Sequence, residues 1–454
     1  MGTPLACLFT CVALAAGSAP PQDPPSKPLR CRTVEYVEAS EKTLDKDGPG
    51  PEAATMEKAE TKLIASFDAR RLAVQSGGVL QVWDFESGVV RTIDRAAGTY
   101  AEVSVLSEVA FVQIEMRNRV GLRGVLQSAK IELADEWSPF DLSVQFGWQA
   151  KGDDVALDRA EEGGEVRVSR AGQVVTSWKL SDHDLDDSQR AMFCRLLQRQ
   201  AHLHPRAIAA LADSGRLPSE LVFRWRSPGM QATTRWHLAG VRDDEWPGST
   251  EGLTRTFGEG PLGRIARMVC TPDAGAVPER LSAERFAELA EAASKERRFG
   301  DAALLLLENG LTTGEQAPLL RRLAANADAK EQLGRFLRPI GLANEDPDEA
   351  LALFDALDRS KLSRPAFVDV FRVNALRQKG KVDEARDLML ATLEVLPWIT
   401  MAYKDLGDLY FAAFETGHAW TAWELGRRIA PGHECWKALE DYEKKLRREF
   451  AERL

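Results

Sequence analysis

Short runs in which apolar and polar residues alternate fill the chain between residues 62 and 105. The turn sequences Ser76-Gly77-Gly78, Ser87-Gly88 and Ala97-Gly98 separate these runs. Alternation with a period of two is typical of half-buried strands, and short glycine-containing turns join neighbouring strands into hairpins. The pattern therefore predicts antiparallel strands at residues 62–67, 71–75, 79–85, 89–93 and 100–105.

Helical spacing then replaces the alternation. Apolar residues three and four positions apart follow Ser107, which predicts an amphipathic helix over residues 108–126 with Ser107 as its N-cap. Two shorter helices are predicted downstream, one capped by Asp186-Asp187-Ser188 and one opened by His204-Pro205. Further strands are predicted at residues 142–148, 165–169, 173–180, 221–226 and 233–241.

Beyond residue 282 the apolar positions follow helical spacing almost throughout. Two stretches run in phase at a spacing of 34 residues, because Ala385 recurs as Ala419 and Pro397 as Pro431. A fixed period of this length indicates repeated helical hairpins, each of which must stack on the next to bury its apolar face. A last apolar stripe predicts a capping helix; its members are Trp436, Leu439, Tyr442, Leu446, Phe450 and Leu454.

This repeat resembles the tetratricopeptide (TPR) family over residues 366–433, and more loosely over residues 283–365. The resemblance implies that a ligand meets the first helix of each hairpin. The positions that would form this partner-binding groove are Phe367, Val370, Phe371, Asn374, Arg377, Gln378, Met401, Lys404, Asp405 and Asp408. A groove of mixed polar and apolar residues suits a peptide or a helix of a protein partner. The long cations at positions 377 and 404 favour an acidic partner segment.

The element order over residues 58–245 resembles the half-open sheet-over-helix clam of the bacterial lipoprotein-carrier (Lol) group, with strands such as Leu80-Gln81-Val82-Trp83-Asp84-Phe85. The resemblance implies a cavity between sheet and helices that holds an acyl chain or a peptide. Tryptophans on the predicted strands would line this ligand cavity: Trp83, Trp148, Trp178, Trp225 and Trp236. The alternative is an ordinary α+β domain whose filled core contains these tryptophans.

The predicted fold class is α+β, with an antiparallel curved sheet and packed helices followed by an all-α TPR-like helical repeat domain. The predicted regions are a signal peptide at residues 1–19, a disordered tether at 20–57, a β-rich domain at 58–245, a linker at 246–281 and the helical domain with its C-terminal capping helix at 282–454. The tether is predicted from its Pro, Glu, Lys and Asp content, and the linker from its Gly, Pro and Thr content.

The N-terminal apolar run, which ends in small residues near positions 15–19, is typical of a secretory signal peptide. It predicts a periplasmic or secreted protein of the bacterial envelope, and a retained N-terminal anchor is the alternative. No later segment has the ~18 apolar residues that a membrane helix needs. Four cysteines would remain after cleavage, and their spacing fits both disulfides and free thiols: Cys31, Cys194, Cys270 and Cys435.

Composition and motifs narrow the function further. A net charge of -10 over 454 residues argues against a nucleic-acid binder. The pattern Gly258-Glu259-Gly260-Pro261-Leu262-Gly263 lacks the βαβ unit of a dinucleotide site. The acidic run Asp182 to Asp187 lacks the glycine of a calcium loop, and His202 and His204 lack further ligands at zinc spacing. We therefore predict no catalytic site, no metal and no cofactor.

The predicted function is that of a non-enzymatic envelope scaffold that binds a protein or peptide partner through its helical repeat. Two alternatives stay open, a carrier of an acyl or lipoprotein ligand and a hydrolase with a dispersed active site. An open apolar cavity under the sheet favours the carrier, whereas a filled core with an exposed groove on the repeats favours the scaffold.

Overall fold

The computed structural model describes residues 29–44, 57–131, 138–227, 230–271, 278–314, 321, 323 and 325–454. The strands of these residues are β1 (Arg30–Leu44), β2 (Glu57–Phe67), β3 (Arg71–Ser76), β4 (Val79–Asp84), β5 (Val89–Asp94), β6 (Thr99–Ser104), β7 (Asp158–Glu162), β8 (Glu165–Arg170), β9 (Gln173–Asp184), β10 (Arg216–Ser227), β11 (Met230–Glu245) and β12 (Thr254–Arg255). They form one 12-stranded sheet in the order β12-β6-β5-β4-β3-β2-β1-β11-β10-β9-β8-β7. The neighbours pair antiparallel, apart from β12, which pairs parallel with β6.

A strand in the middle of the sheet corrects the prediction of a disordered tether at residues 20–57. β1 lies between β2 and β11, and its Val34 and Tyr36 are fully buried. The charged residue between them, Glu35, pairs with Lys62 of β2 at 2.9 Å. Composition misled the prediction because it does not report strand pairing. One of the two strands that pair with this charged segment, β11, is distant in the sequence. Residues 20–28 and 45–56, and the predicted signal peptide, lie outside the described residues.

The strands predicted from alternation are confirmed with one exception. Residues 139–146 form helix α2 (Pro139–Phe146), so the strand predicted at 142–148 is wrong. Ser138 caps this helix, Pro139 occupies its first position, and Gly147 ends it in the left-handed conformation with a φ of 59°. These end signals decide between helix and strand, because a short apolar run fits either period.

The helix that follows β6 is confirmed, with a corrected start. Helix α1 (Val105–Ser128) covers the predicted residues 108–126. Its N-cap is Ser104 rather than Ser107, because the Ser104 hydroxyl accepts the N–H of Leu106 at 3.3 Å. Ser107 is buried inside the first turn and donates its own hydroxyl to the Ser104 carbonyl.

One face of the sheet is covered by α3 (Asp187–Gln200) and α4 (Pro205–Ala212). Met192, Phe193 and Leu196 of α3 pack with strand residues from both halves of the sheet into one apolar core. The predicted cap of α3 is confirmed, since Asp186 accepts the Gln189 N–H at 2.8 Å. The space between sheet and helices is therefore filled by side chains.

The C-terminal half is helical, as predicted. Its helices include α5 (Pro261–Cys270), α6 (Ala283–Lys295), α7 (Phe299–Thr313), α8 (Lys330–Leu342), α9 (Pro347–Asp355), α10 (Val368–Gln378), α11 (Val382–Val395), α12 (Thr400–Ala412), α13 (Thr416–Ile429) and α14 (Lys437–Glu449). Helices α11 and α13 start 34 residues apart (416 − 382) and end 34 residues apart (429 − 395). The period is therefore present in the helices themselves, although a period alone names no family.

Helix α5 corrects the prediction of a linker at residues 246–281. Leu262, Ile265, Ala266 and Val269 of α5 are buried in the same core as the C-terminal helices. This spacing of three and four is an amphipathic pattern. Composition concealed it, because Gly, Pro and Thr cluster just before the helix.

The apolar core of the C-terminal helices also contains part of the N-terminal half. Leu106, Val109 and Met116 of α1 belong to it, and α1 packs against α13 and α14. The stripe of α14 that was predicted to cap the repeat is buried at Leu439 and Leu446 and lies partly against α1. The sheet region and the helical region therefore share an extensive packed junction.

The described residues show whether the cysteines form disulfides and whether a helix could span a membrane. Of the two alternatives, disulfides and free thiols, the structure has free thiols at all four cysteines: Cys31, Cys194, Cys270 and Cys435. Burial raises the pKa of Cys194 to about 11 and that of Cys435 to about 12. No described helix is both long and apolar enough to cross a membrane.

Candidate functional site

The structure divides the predicted groove residues into a buried and an accessible group. Phe367 and Val370 are buried in the core at 1% and 5% exposure, so they are not available to a partner. Phe371 and Met401 are half-buried. The polar members lie on α10 and α12; Arg377 and Gln378 are exposed and the other four are half-buried. We call this surface the helical face: Asn374, Arg377, Gln378, Lys404, Asp405 and Asp408.

Helix α7 packs against the helical hairpins beside the predicted groove. The hydroxyl of Thr400 at the start of α12 donates to the carbonyl of Thr312 in α7 at 2.8 Å, and Leu304 of α7 belongs to the core of the hairpins. The buried Asp301 accepts the N–H and the hydroxyl of Ser363 at 2.9 and 2.7 Å. A helix of this chain therefore takes space that the repeat alone would leave open.

Side-chain amides converge on the helical face. The amides of Asn374 and Gln378 both donate to the Asn344 side-chain oxygen, at 3.1 and 3.0 Å. Arg377 donates to the Asn374 oxygen at 2.8 Å. We call Asn344, Asn374 and Gln378 the amide patch. Each amide carries both donors and acceptors, so this patch can bond the N–H and C=O groups of a peptide backbone.

A charged cluster adjoins the amide patch. Lys404 pairs with Asp408 of the same helix at 2.5 Å, whereas Asp405 makes no hydrogen bond or ion pair within the described residues. Burial raises the pKa of Asp405 to about 6, Asp408 adds to the shift, and Arg377 and Lys404 oppose it. The cationic surface expected from positions 377 and 404 is thus largely balanced by neighbouring carboxylates.

Three of the five tryptophans of the predicted ligand cavity are core residues. Trp83, Trp178 and Trp236 are at most 4% exposed and pack in the same core as α3. The indoles of Trp83 and Trp236 donate to Glu108 at 2.8 Å and to Glu38 at 3.1 Å. A ligand cavity would need these rings to face a shared open space, and they face packed side chains instead.

The other two tryptophans lie in different surroundings. Trp148 follows α2, outside the sheet, and stacks on Phe450 with ring centroids 4.6 Å apart. Trp225 packs against His202 at 4.2 Å and lines a separate, polar cavity of about 640 Å³. The five rings are therefore not brought together in one site.

One cluster combines the residue types of a hydrolase triad in the wrong order. The carboxylate of Asp153 accepts from Ser143 at 2.5 Å and lies 2.7 Å from His204 Nε2. His204 Nδ1 accepts the Arg206 N–H as the cap of α4. A triad needs the base next to the nucleophile, whereas here Asp153 stands between them and all three side chains are buried. The cluster joins α2 to α4 and supplies no nucleophile.

The remaining motifs have structural roles. Gly260 precedes the first turn of α5, and a Cβ on Gly263 would lie 2.3 Å from the Gly258 carbonyl oxygen, so this glycine permits close backbone packing. The strand immediately before this segment is β12, which has only two residues and does not form the buried strand of a dinucleotide site. Among the described residues no group of three or more His, Cys, Asp or Glu side chains is placed to hold a metal ion.

A further cavity was not predicted from the sequence. It has a volume of about 740 Å³ and lies where β6 and β12 meet α5 and the turn between α12 and α13. We call it the junction cavity. Val103, Phe257, Phe414 and Leu425 supply apolar walls. Its volume falls within the range of about 300–1,000 Å³ typical of ligand sites, which often form where two parts of a fold meet.

Most charged groups around the junction cavity are already paired. Arg255 bonds Glu102 at 3.1 Å, and Arg427 bonds Glu443 at 2.5 Å. Glu424 and Arg428 also line the cavity; both are exposed to solvent and neither makes an ion pair within the described residues, although Arg428 donates to Cys270 Sγ at 3.4 Å. Burial raises the pKa of Glu424 to about 7, with Arg427 opposing the shift. The cavity therefore presents one carboxylate and one guanidinium without a counter-ion from the described residues.

No model of a known protein family matches the chain, and no curated protein is significantly similar to it. The geometry of the helical face and the junction cavity therefore carries the functional inference.

Proposed function

We propose that this protein is a non-enzymatic interaction protein that captures a peptide segment of a protein partner on its helical face. In this proposal α10–α11 and α12–α13 are divergent TPR hairpins, and the chain acts as a scaffold of the bacterial envelope after export to the periplasm or cell exterior. The amide patch is the observation that carries the proposal, because two exposed side-chain amides, Asn344 and Gln378, and the half-buried Asn374 meet there beside a charged cluster.

The chemistry of the patch suits a peptide backbone. Asn344 accepts from both other amides through one oxygen, so its own NH₂ group and the Gln378 oxygen make no hydrogen bond within the described residues. An NH₂ group with two donors and one acceptor oxygen are thereby left on the same surface. Arg377 and the unpaired Asp405 add charge recognition for side chains of either sign.

The carrier alternative receives less support from the geometry. It requires open space between the sheet and its helices, where Met192, Phe193 and Leu196 pack against the strands. The hydrolase alternative requires a nucleophile beside a base, and the Ser143–Asp153–His204 cluster does not provide one. The scaffold proposal therefore has the most direct structural support.

The proposal predicts that Asn344→Ala with Gln378→Ala weakens peptide binding at least about tenfold without loss of thermal stability. Each lost hydrogen bond to a partner is worth roughly 0.5–1.5 kcal/mol, so two of them account for such a change. Peptides would be selected from a displayed random library on the wild-type chain, and their affinities measured by calorimetry on both proteins.

The matched control is Arg335→Ala with Arg338→Ala, two arginines of α8 that lie outside the patch and pair with Glu331 and Glu349. This control should keep the wild-type affinity. Selected peptides that bind the amide-patch variant as tightly as the wild type would show that the helical face is not the binding surface.

A further inference from the structure

The junction cavity has an apolar lining that no side chain covers. Val103 and Phe414 are among the few large apolar side chains of the described residues that are exposed, at 37% and 47%, and both line this cavity. Phe257 and Leu425 extend the same lining. Exposed apolar surface inside a concave site is typical of a place that a ligand covers.

The charged groups that line the cavity are paired except for two of opposite sign. The paired groups and their partners are Arg255 with Glu102, Arg427 with Glu443, and Glu415 with Arg386 and His418. Glu424 and Arg428 have no ion pair within the described residues. An anion would be attracted by Arg428 and repelled by Glu424, and a cation would meet the reverse. A ligand with a single charge therefore satisfies one of the two groups at the expense of the other.

Helix α13 sets these two groups one turn apart on the same wall. Glu424 and Arg428 are four residues apart, which corresponds to about 6 Å along the helix axis. A Glu four residues before a base is the order that favours an ion pair on a helix. The two side chains do not pair, and Arg428 donates instead to Cys270 Sγ at 3.4 Å. The walls of the cavity surround Glu424, so its pKa is raised although the side chain meets the water of the cavity.

This spacing of opposite charges matches a zwitterion of defined length. An extended dipeptide spans about 7 Å between its charged ends, because each residue adds at most about 3.6 Å. A dipeptide that lies along α13 can therefore place its ammonium group beside Glu424 and its carboxylate beside Arg428. A guanidinium binds a carboxylate through two parallel hydrogen bonds, so Arg428 can keep its contact with Cys270 and still bind the ligand. A single amino acid is too short to reach both groups at once.

We infer that the junction cavity is a second binding site, which takes a zwitterionic dipeptide with apolar side chains. The ammonium group pairs with Glu424, the carboxylate pairs with Arg428, and the two side chains cover Val103, Phe257 and Phe414. No residue of the amide patch lines this cavity. The inference therefore does not depend on the function proposed for the helical face.

The first test selects ligands on the full chain. All dipeptides and free amino acids made from Val, Leu, Ile, Met and Phe are equilibrated with the protein as one mixture, and the bound members are identified by mass spectrometry. The dipeptide bound most tightly is then compared by calorimetry with its N-acetylated, C-amidated and doubly blocked forms. We expect each block to weaken binding about three- to fivefold, because it removes one ion pair that is exposed to water. Free amino acids should bind more weakly than the dipeptides.

Two variants assign the ends of the ligand. In Glu424→Gln, N-acetylation should no longer weaken binding while amidation still does, and in Arg428→Gln the converse should hold. Lys437→Gln and Glu440→Gln are the matched controls, because they remove exposed charges of α14 that do not line the cavity, and they should bind every form as the wild type does. Equal binding of the free and doubly blocked dipeptides, or a preference for free ends that persists in both cavity variants, would overturn the inference.

Cys270 reports where the ligand binds. Its half-buried thiol lines the cavity, so a dipeptide at about ten times its dissociation constant should slow alkylation of Cys270 by iodoacetamide at least about fivefold. Cys194 and Cys435 do not line the cavity and should react at unchanged rates. The variant Asn344→Ala with Gln378→Ala should show the same protection, which separates this site from the helical face. Unchanged alkylation of Cys270 would place the dipeptide elsewhere and overturn the inference.

Discussion

Arg364→Met is expected to lower the free energy of unfolding by about 3–5 kcal/mol, because it leaves a buried carboxylate without its counter-charge. Glu308 of α7 has a side chain only 2% exposed, and the Arg364 guanidinium contacts both of its oxygens at 2.7 Å. This pair holds α7 against the segment that leads into α10. Urea denaturation of both proteins measures the effect.

The pH dependence of this variant follows from the Glu308 carboxyl. Burial raises its pKa above the ordinary value of 4.5, and Arg364 opposes that rise. Without Arg364 the pKa rises further, so the folded state binds a proton that the unfolded state releases, and stability falls as pH increases through this window. The deficit of the variant should therefore be largest at neutral pH and shrink towards pH 4.5.

The double variant Arg364→Met with Glu308→Met is the control for that result. Replacing both partners by apolar residues removes the buried charge as well as the ion pair, and such exchanges are often neutral or stabilising. We expect the double variant to recover most of the lost stability. If it is as unstable as the single variant, packing around the pair rather than the unpaired charge would be the cause.

Ala419→Trp is expected to destabilise the helical region by about 3 kcal/mol or more. Ala419 of α13 is fully buried, and the neighbouring approach of α12 to α13 is so close that a Cβ on Gly407 would lie 2.1 Å from the Trp423 indole nitrogen. A large side chain in such a contact forces the helices apart. Ala412→Trp, on an exposed position of α12, should have little effect on stability.

Hydrogen exchange can localise the damage of Ala419→Trp. From the repeat alone, the whole sheet region is expected to stay folded. Helix α1, however, shares the core of α13, so its amides should lose protection from exchange together with those of α11–α14. The central strands β1, β2 and β11 belong to a different core and should keep their protection. Equal loss in those strands would mean that the two regions unfold as one cooperative unit.

Local patterns predicted most elements because their causes are local. Alternation and glycine turns located β2 to β6, and the cap at Asp186 located α3, since these signals act within a few residues. The same reasoning failed for β1 and α5. Their sequences resemble linkers in composition, and they become a central strand and a core helix only through partners elsewhere in the chain.

The site shows the same division. Repeat phase identified Asn374, Arg377 and Gln378 as one face of a helix, because helical spacing fixes which residues share a face. It did not show that Phe367 and Val370 would be buried, since their burial depends on packing against elements outside the repeat. The junction cavity had no sequence signal of its own, because its lining comes from β6, β12, α5 and α13, which are far apart in the chain.

By itself the sequence determined the α+β class, the 34-residue helical period, the strand periodicity and the acidic character of this protein. These properties follow from side-chain spacing and composition, which act over a few residues at a time. The tertiary structure alone decided that β1 joins β2 to β11, that α1 packs into the helical core, and that Val103, Phe257 and Phe414 line one cavity. Each of these depends on contacts between residues far apart in the chain, whose free energy is gained only when the whole fold brings them together.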